Sequence, residues 1–198
     1  MELGYERTSM SEIAARLGGS KATLYSYFPS KELLFFGVMQ LKVGGEVWPA
    51  LQEMPSQAEE EPRALLTRLG ERMLASITAP QAIAVRRMVI AEASKNNLGR
   101  QFWEQGPQQV LESVAAYLAG ATRAGRLDVK EPMPAAQHVL ALYNAEIDWR
   151  WTFGVQETFT RAQLKQAVAR AVDVIMAAYG PRERHAPTPR RIASPRAP

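Results

Sequence analysis

"GGSKATLYSYFPSK", residues 18–31, decides how this chain folds. Two glycines open it, and glycine tolerates the positive φ that a tight turn requires. Ser20 follows as an N-cap whose hydroxyl can accept a first-turn N–H, so a helix is predicted over Lys21 to Tyr27. Pro29 ends it, because proline lacks the amide proton and pushes the residue before it out of the helical region. Just upstream, Ser9 and Glu12 have the spacing of a capping box, and Met10, Ile13, Ala14 and Leu17 share one face of a helix ending near Leu17. Two short helices joined by a glycine turn form a helix-turn-helix, whose second helix enters the major groove of DNA.

The second helix carries side chains suited to that task. Lys21, Ala22 and Thr23 are small or hydrogen-bonding, as residues must be where a helix approaches base edges. Tyr25, Ser26, Tyr27 and Lys31 offer hydroxyls and an ammonium that can reach phosphates and fix the register. Leu24 and Phe28, four apart, are expected to bury against the preceding helix. Tyrosines in a short helix also serve as plain core aromatics; the cap, the turn, the hydroxyls and the cations together favour DNA.

Composition narrows the rest. At 198 residues, with 46% hydrophobic and 22% charged, the chain has the balance of a soluble globular protein of one large domain or two small ones. No run approaches the roughly 18 apolar residues of a membrane helix and no signal-peptide pattern opens the chain, so a cytoplasmic protein without a membrane partner is expected. There are no cysteines and only two histidines, His138 and His185, which removes disulfides, thiolate metal sites and cysteine nucleophiles. A metal pair of His138 and Glu146, eight residues apart, would lack further ligands of obvious spacing, and neither a phosphate-cradling glycine loop nor a nucleophile elbow occurs. The chain therefore reads as non-enzymatic, with no catalytic residue, metal or cofactor. Its net charge of +4 equals that of residues 181–198 alone, where five arginines stand against one glutamate. That proline-rich tail is either a solvated disordered segment or a nonspecific phosphate-binding arm.

"TSMSEIAARLGGSKATLYSYFPSKELLF", within residues 4 to about 36, resembles the signature of TetR-family transcriptional regulators. Residues 86–127 are similar to the C-terminal region of the AefR-like branch. The resemblance implies an all-α homodimer: an N-terminal helix-turn-helix DNA-binding domain, then a helical domain that binds a small effector and dimerises. It also implies that Thr8, Lys21, Thr23, Tyr25, Tyr27 and Lys31 contact double-stranded DNA, and Ala22, where the family often has glycine, sets a methyl group close to it. Gly19 stands where the family usually has an apolar residue, so about 1.5–3 kcal/mol of burial is expected to be forgone. The family has a whole helix before Gly4-Tyr5, where this sequence has Met-Glu-Leu. Two short helices expose their apolar face unless a third covers it, so a chain starting at Met1 is expected to bind DNA weakly through an unstable N-terminal domain.

Beyond residue 31 the pattern stays helical, with no two-residue alternation that would give a sheet. Three domains are predicted: residues 1–36 for DNA binding, 37–180 for effector binding and dimerisation, and the tail 181–198. Eight helices are expected. Residues 31–51 are apolar nearly all round at their start, through Leu33, Leu34, Phe35, Phe36, Val38 and Met39, with Gly44 and Gly45 marking a kink or an early end. Pro62, Pro80 and Pro134 suit first turns, Thr160 and Gln163 form a capping box, and Gly180-Pro181 ends the last helix. An apolar or aromatic effector is expected to meet Phe102, Trp103, Tyr117, Tyr143 and Trp149, chosen from a set that also holds Trp48, Trp151 and Phe153. His138, Asn144, Glu146 and Asp148 are available as polar partners, although aromatics at helical spacing also build ordinary core. Residues 134–153 carry two apolar stripes, Val139, Tyr143 and Ile147, then Leu142, Trp149 and Phe153; one suits the protomer's own core and the other a two-fold partner.

The function that follows is a dimeric regulator, repressor or activator, which reads a pseudo-palindromic operator and is released by its effector. The alternative is a helical ligand- or protein-binding dimer that has lost DNA recognition with its first helix.

Overall fold

The computed structural model of the chain describes residues 9–31, 33–34, 37–38, 49, 51–93, 97–156 and 158–181. Residues 1–8 with Thr8, Phe35, Phe36, Met39, Gly44, Gly45, Trp48 and the tail from residue 182 lie outside the described residues. The fold is all-α, and no strand occurs among the described residues.

Helices α1 (Met10–Arg16) and α2 (Lys21–Tyr27) form the N-terminal pair. A 3-10 turn at Met54–Gln57 precedes α3 (Pro62–Ile77), α4 (Pro80–Glu92), α5 (Leu98–Gln105), α6 (Pro107–Arg123), α7 (Pro132–Asn144), α8 (Asp148–Thr152) and α9 (Arg161–Tyr179). Prolines stand at the first position of α3, α4, α6 and α7, where a missing amide proton costs nothing. Thr160 and Gln163 exchange both bonds of the capping box that opens α9.

Nine α-helices among the described residues exceed the expected eight. Residues 134–153 do not run as one helix: α7 starts at Pro132, leaving Pro134 in its first turn, and stops at Asn144. There the Asn144 amide donates to the Leu140 carbonyl at 2.8 Å, a side-chain bond that competes with the helical ladder, and α8 starts afresh after Ile147.

One hydrophobic cluster fills the C-terminal bundle, reaching from Leu51 and Met54 through Leu66, Leu69, Val114, Tyr117, Val139 and Tyr143 to Val168 and Ile175. Its tightest crossing is at Gly70 of α3. A methyl group there would lie 2.7 Å from Tyr143 Cε1 and 2.8 Å from Val168 Cγ1, so the missing side chain lets α3 approach α7 and α9. Tyr143 holds this crossing by donating its hydroxyl to the Leu66 carbonyl at 2.7 Å. A second, smaller cluster of Val85, Val89 and Leu98 is covered by Met88, Phe102 and Leu33, which joins the chain leaving the N-terminal pair to α4 and α5. Val38, expected within a buried stretch, is exposed.

Candidate nucleic-acid interface

Backbone geometry makes the α1–α2 turn. Gly18 has φ 69°, the Gly18 N–H donates to the Ala15 carbonyl at 3.2 Å, and the Gly19 N–H donates to the Ala14 carbonyl at 3.1 Å. This is the Schellman arrangement, in which two carbonyls left over at a helix end are satisfied by the two residues beyond it. Such turns often add an apolar contact between the second of those residues and the helix's last turns. Here that residue is Gly19, which has no side chain to give, and a methyl group built on it meets nothing within 4 Å among the described residues. Among the described residues that Cβ therefore finds no neighbour, and the burial expected from sequence does not come from them.

Ser9 caps α1 by accepting from the Glu12 N–H at 3.1 Å. The reciprocal half of the expected box is not what Glu12 provides: its carboxylate accepts from Arg16 at 3.1 Å, a charged donor one turn along. Met10 and Ala14 are buried and Ile13 half-buried, but Leu17 is 71% exposed and stands off the face it was expected to share. Its position at the C-cap, where the chain turns away, takes it out of contact.

Ser20 caps α2, accepting from the Thr23 N–H at 3.0 Å, and its hydroxyl lies 2.8 Å from that of Thr23. Ser26 donates to the Thr23 carbonyl at 2.7 Å. No residue of α2 is buried. Lys21, Ala22, Thr23, Tyr25 and Ser26 are exposed, and Tyr27 is 76% exposed. The Lys21 ammonium sits 5.7 Å from the centre of the Tyr25 ring, a cation–π distance. Leu24 and Phe28 are half-buried, and Phe28 lies over Gly37, where a methyl group would come 2.9 Å from its ring. It thus leans on the following segment. Lys31 is half-buried. Six of the seven DNA-facing candidates are therefore described, and α2 and its flank bring them together; Thr8 is outside.

The effector candidates are spread over three places. Tyr117 and Tyr143 are fully buried side chains of the main cluster. Phe102 packs on the smaller cluster, and Trp103 and Trp149 are exposed. Burial, reinforced by Glu60 and Glu61, pushes the Tyr117 phenol up to about 12, and burial likewise raises that of Tyr143. Among the described residues the Tyr117 hydroxyl has no hydrogen-bond partner, unlike that of Tyr143.

Of the two stripes in 134–153, Val139, Tyr143 and Ile147 are core. Trp149 and Phe153 are 71% and 68% exposed and stack on each other, ring centres 5.7 Å apart. Beside them a groove of about 460 Å³ is lined by Trp149, Arg150, Phe159, Gln163 and Arg170. Arg170 grips Glu146 through two bonds, its Nε at 2.7 Å, and that hydrogen bond holds the Glu146 carboxyl below its usual range. His138 pairs with the Tyr179 hydroxyl at 2.5 Å.

Sequence reading missed Arg86 and Arg87. Arg86 pairs with Asp148 at 2.7 Å and lies over the buried Trp151 ring at 4.3 Å, while Arg87 donates to the Trp151 carbonyl at 3.1 Å. Two adjacent arginines inside an otherwise apolar helix were the available signal. Their partners, more than sixty residues away, were not legible. Among the described residues no helix is long and apolar enough to cross a membrane, and no cluster of three or more acidic or histidine side chains could hold a metal ion.

Comparison with known proteins bears on the same regions. The family profile for the AefR-like transcriptional repressor C-terminal domain matches residues 64–181, a wider span than the sequence resemblance covered, and the profile for bacterial regulatory proteins of the TetR family matches residues 1–38. Among solved structures, a TetR-family transcriptional regulator from Mesorhizobium loti is 28% identical over 90% of each chain, with a TM-score of 0.76. The flavonoid-responsive regulator FrrA is 29% identical over 92% of this chain and 91% of its own, with a TM-score of 0.65. A TetR-family regulator from Pseudomonas syringae pv. tomato is 26% identical over 89% of this chain and 88% of its own, with a TM-score of 0.62. No curated protein matches.

Proposed function

The chain belongs to the TetR family of transcriptional regulators, in its AefR-like branch, and from that premise we propose that it is a cytoplasmic homodimeric repressor that reads a pseudo-palindromic operator with α2. Regulators of this family bind DNA and are not enzymes. Residues 1–36 read the DNA, 37–180 bind the effector and dimerise, and the arginine-rich tail 181–198 adds charge. The observation that carries the reading is α2 itself: seven residues, none buried, with Lys21, Thr23, Tyr25 and Tyr27 outward on a fixed turn. A helix that half-buries only Leu24 keeps the rest of its surface available to a partner, and cations with phenols suit phosphates.

Lys21, Ala22 and Thr23 face base edges, Tyr25, Tyr27 and Lys31 hold the backbone, and Thr8 also contacts the DNA. Trp149 and Phe153 cover their exposed stack against a second copy. The effector is a small apolar or aromatic molecule, a class that includes the flavonoids to which the similar regulator FrrA responds. It acts by favouring a protomer arrangement that no longer fits the half-site spacing, for which it needs different affinities for the two states.

Fluorescence anisotropy with the chain's own promoter DNA tests the reading. The native protein should bind that duplex in preference to random competitor, and the double substitution Lys21→Ala, Tyr27→Ala should abolish the preference without changing the helical circular dichroism. Equal binding by the variant would sink the role of α2. A monomeric mass at micromolar concentration in sedimentation would remove the dimer, and indifference of the complex to flavonoids would remove that effector class.

A further inference from the structure

The outward side of α2 offers fewer hydrogen bonds than its sequence suggests. The Thr23 hydroxyl faces Ser20 at 2.8 Å instead of pointing away from the helix, and the Ser26 hydroxyl is turned back onto the Thr23 carbonyl. Lys21 leans over the Tyr25 ring, to the side of the positions that follow it. Ala22 and Thr23 are both exposed, and with the Thr23 hydroxyl engaged, the groups these adjacent residues have left for a partner are their methyl groups.

Methyl groups read a base by what they cannot do. In the major groove thymine alone carries a C5 methyl, whereas cytosine presents an amino donor that loses its water against an apolar surface without gaining an acceptor. We infer that Ala22 and Thr23 are specificity-determining residues that select a thymine in each operator half-site by packing their methyl groups on its C5 methyl. This rests on the DNA-reading role given to α2 above and adds the base that role selects. Thr23 then does two things with one side chain: its hydroxyl closes the cap with Ser20 and its methyl reads.

The test uses the full chain and an operator selected by it from random duplexes. Each thymine of the half-site is replaced in turn by deoxyuridine, which deletes the C5 methyl and keeps every hydrogen-bonding group. At one or two positions the replacement should weaken binding about four-fold, as expected for roughly 0.8 kcal/mol per buried methyl at 1.4 kcal/mol per tenfold. In Thr23→Ser, which keeps the hydroxyl and the cap, that penalty should shrink because one of the two protein methyl groups is already gone; Ala22→Gly, the second variant, should shrink it likewise. Specific binding that is indifferent to uracil at every thymine, or a penalty that persists unchanged in both variants, overturns the inference while leaving α2 as the reading helix. If no duplex is selected over competitor, the DNA-reading role fails first and the inference falls with it.

Discussion

The pair α1–α2 and the bundle from α3 to α9 are both helical, yet different forces hold them. In the pair, among the described residues, only Met10 and Ala14 are buried, and its shape comes from local bonds: two serine caps and two turn bonds at Gly18 and Gly19. In the bundle, long-range burial dominates, with side chains such as Leu66, Val114, Tyr117, Tyr143 and Val168 withdrawn wholly from solvent. Local bonds fix geometry without supplying much stability, because each contributes only about 1 kcal/mol net. The bundle can therefore carry a reading element that is well shaped and weakly anchored, and segments with few buried contacts are the ones that open most readily.

The largest effect that would break this contrast is a core truncation. Leu66→Ala should destabilise the bundle by about 2–5 kcal/mol in urea denaturation, the range for a fully buried leucine whose site cannot collapse. Leu24→Ala, at the half-buried anchor of α2, should cost less than half as much. Equal losses would mean that the pair has a core of its own.

Alkaline pH comes next. Tyr117 titrates near 12 when folded, against an ordinary value of 10.0, so folding favours its neutral form. Its contribution is complete below pH 10 and is lost as pH rises from 10 through 12, on the order of 2–3 kcal/mol in all. Denaturation at a series of pH values should show this fall, and Tyr117→Phe should make it shallower without removing it, since Tyr143 is shifted the same way. An unchanged slope in the variant would show that Tyr117 ionises freely.

The same two tyrosines separate a bonded hydroxyl from an orphan one. Tyr143→Phe deletes the bond to the Leu66 carbonyl and should cost about 1 kcal/mol at pH 7, whereas Tyr117→Phe removes a buried hydroxyl that has no partner among the described residues and should be neutral or stabilising. The reverse order would mean that water or a ligand satisfies Tyr117.

How much of this was legible in the sequence follows the same division. The bounds of α2 and the α9 capping box come from signals within three or four residues, and the structure reproduces them. Ser9 and Glu12 were read only half correctly, because spacing cannot reveal that Arg16 competes for the carboxylate. Depth was harder still: Trp149, Trp151 and Phe153 lie within five residues, yet Trp151 is core and the other two face solvent. The break at Asn144 and the arrival of Arg86 and Arg87 set that phase, and neither follows from periodicity.

The smallest effect bears most directly on the pair. Gly18, at φ 69°, needs glycine, whereas Gly19 lies outside the left-handed region and has open space around its Cβ among the described residues. Gly19→Ala should therefore stabilise by about 0.5 kcal/mol, chiefly by restricting the unfolded chain. Gly19→Val separates two causes of the pair's thin packing. If valine adds nothing beyond alanine, residue 19 has no apolar surface within reach and the deficit lies at the uncovered face around Leu17. If valine gains clearly more, its longer branches have reached the end of α1 near Ala14, and the missing contact of the Schellman turn is the deficit itself. Hydrogen exchange of the Leu17 and Phe28 amides, which donate to the Ile13 and Leu24 carbonyls, reads the outcome locally, where a global melt would report the bundle.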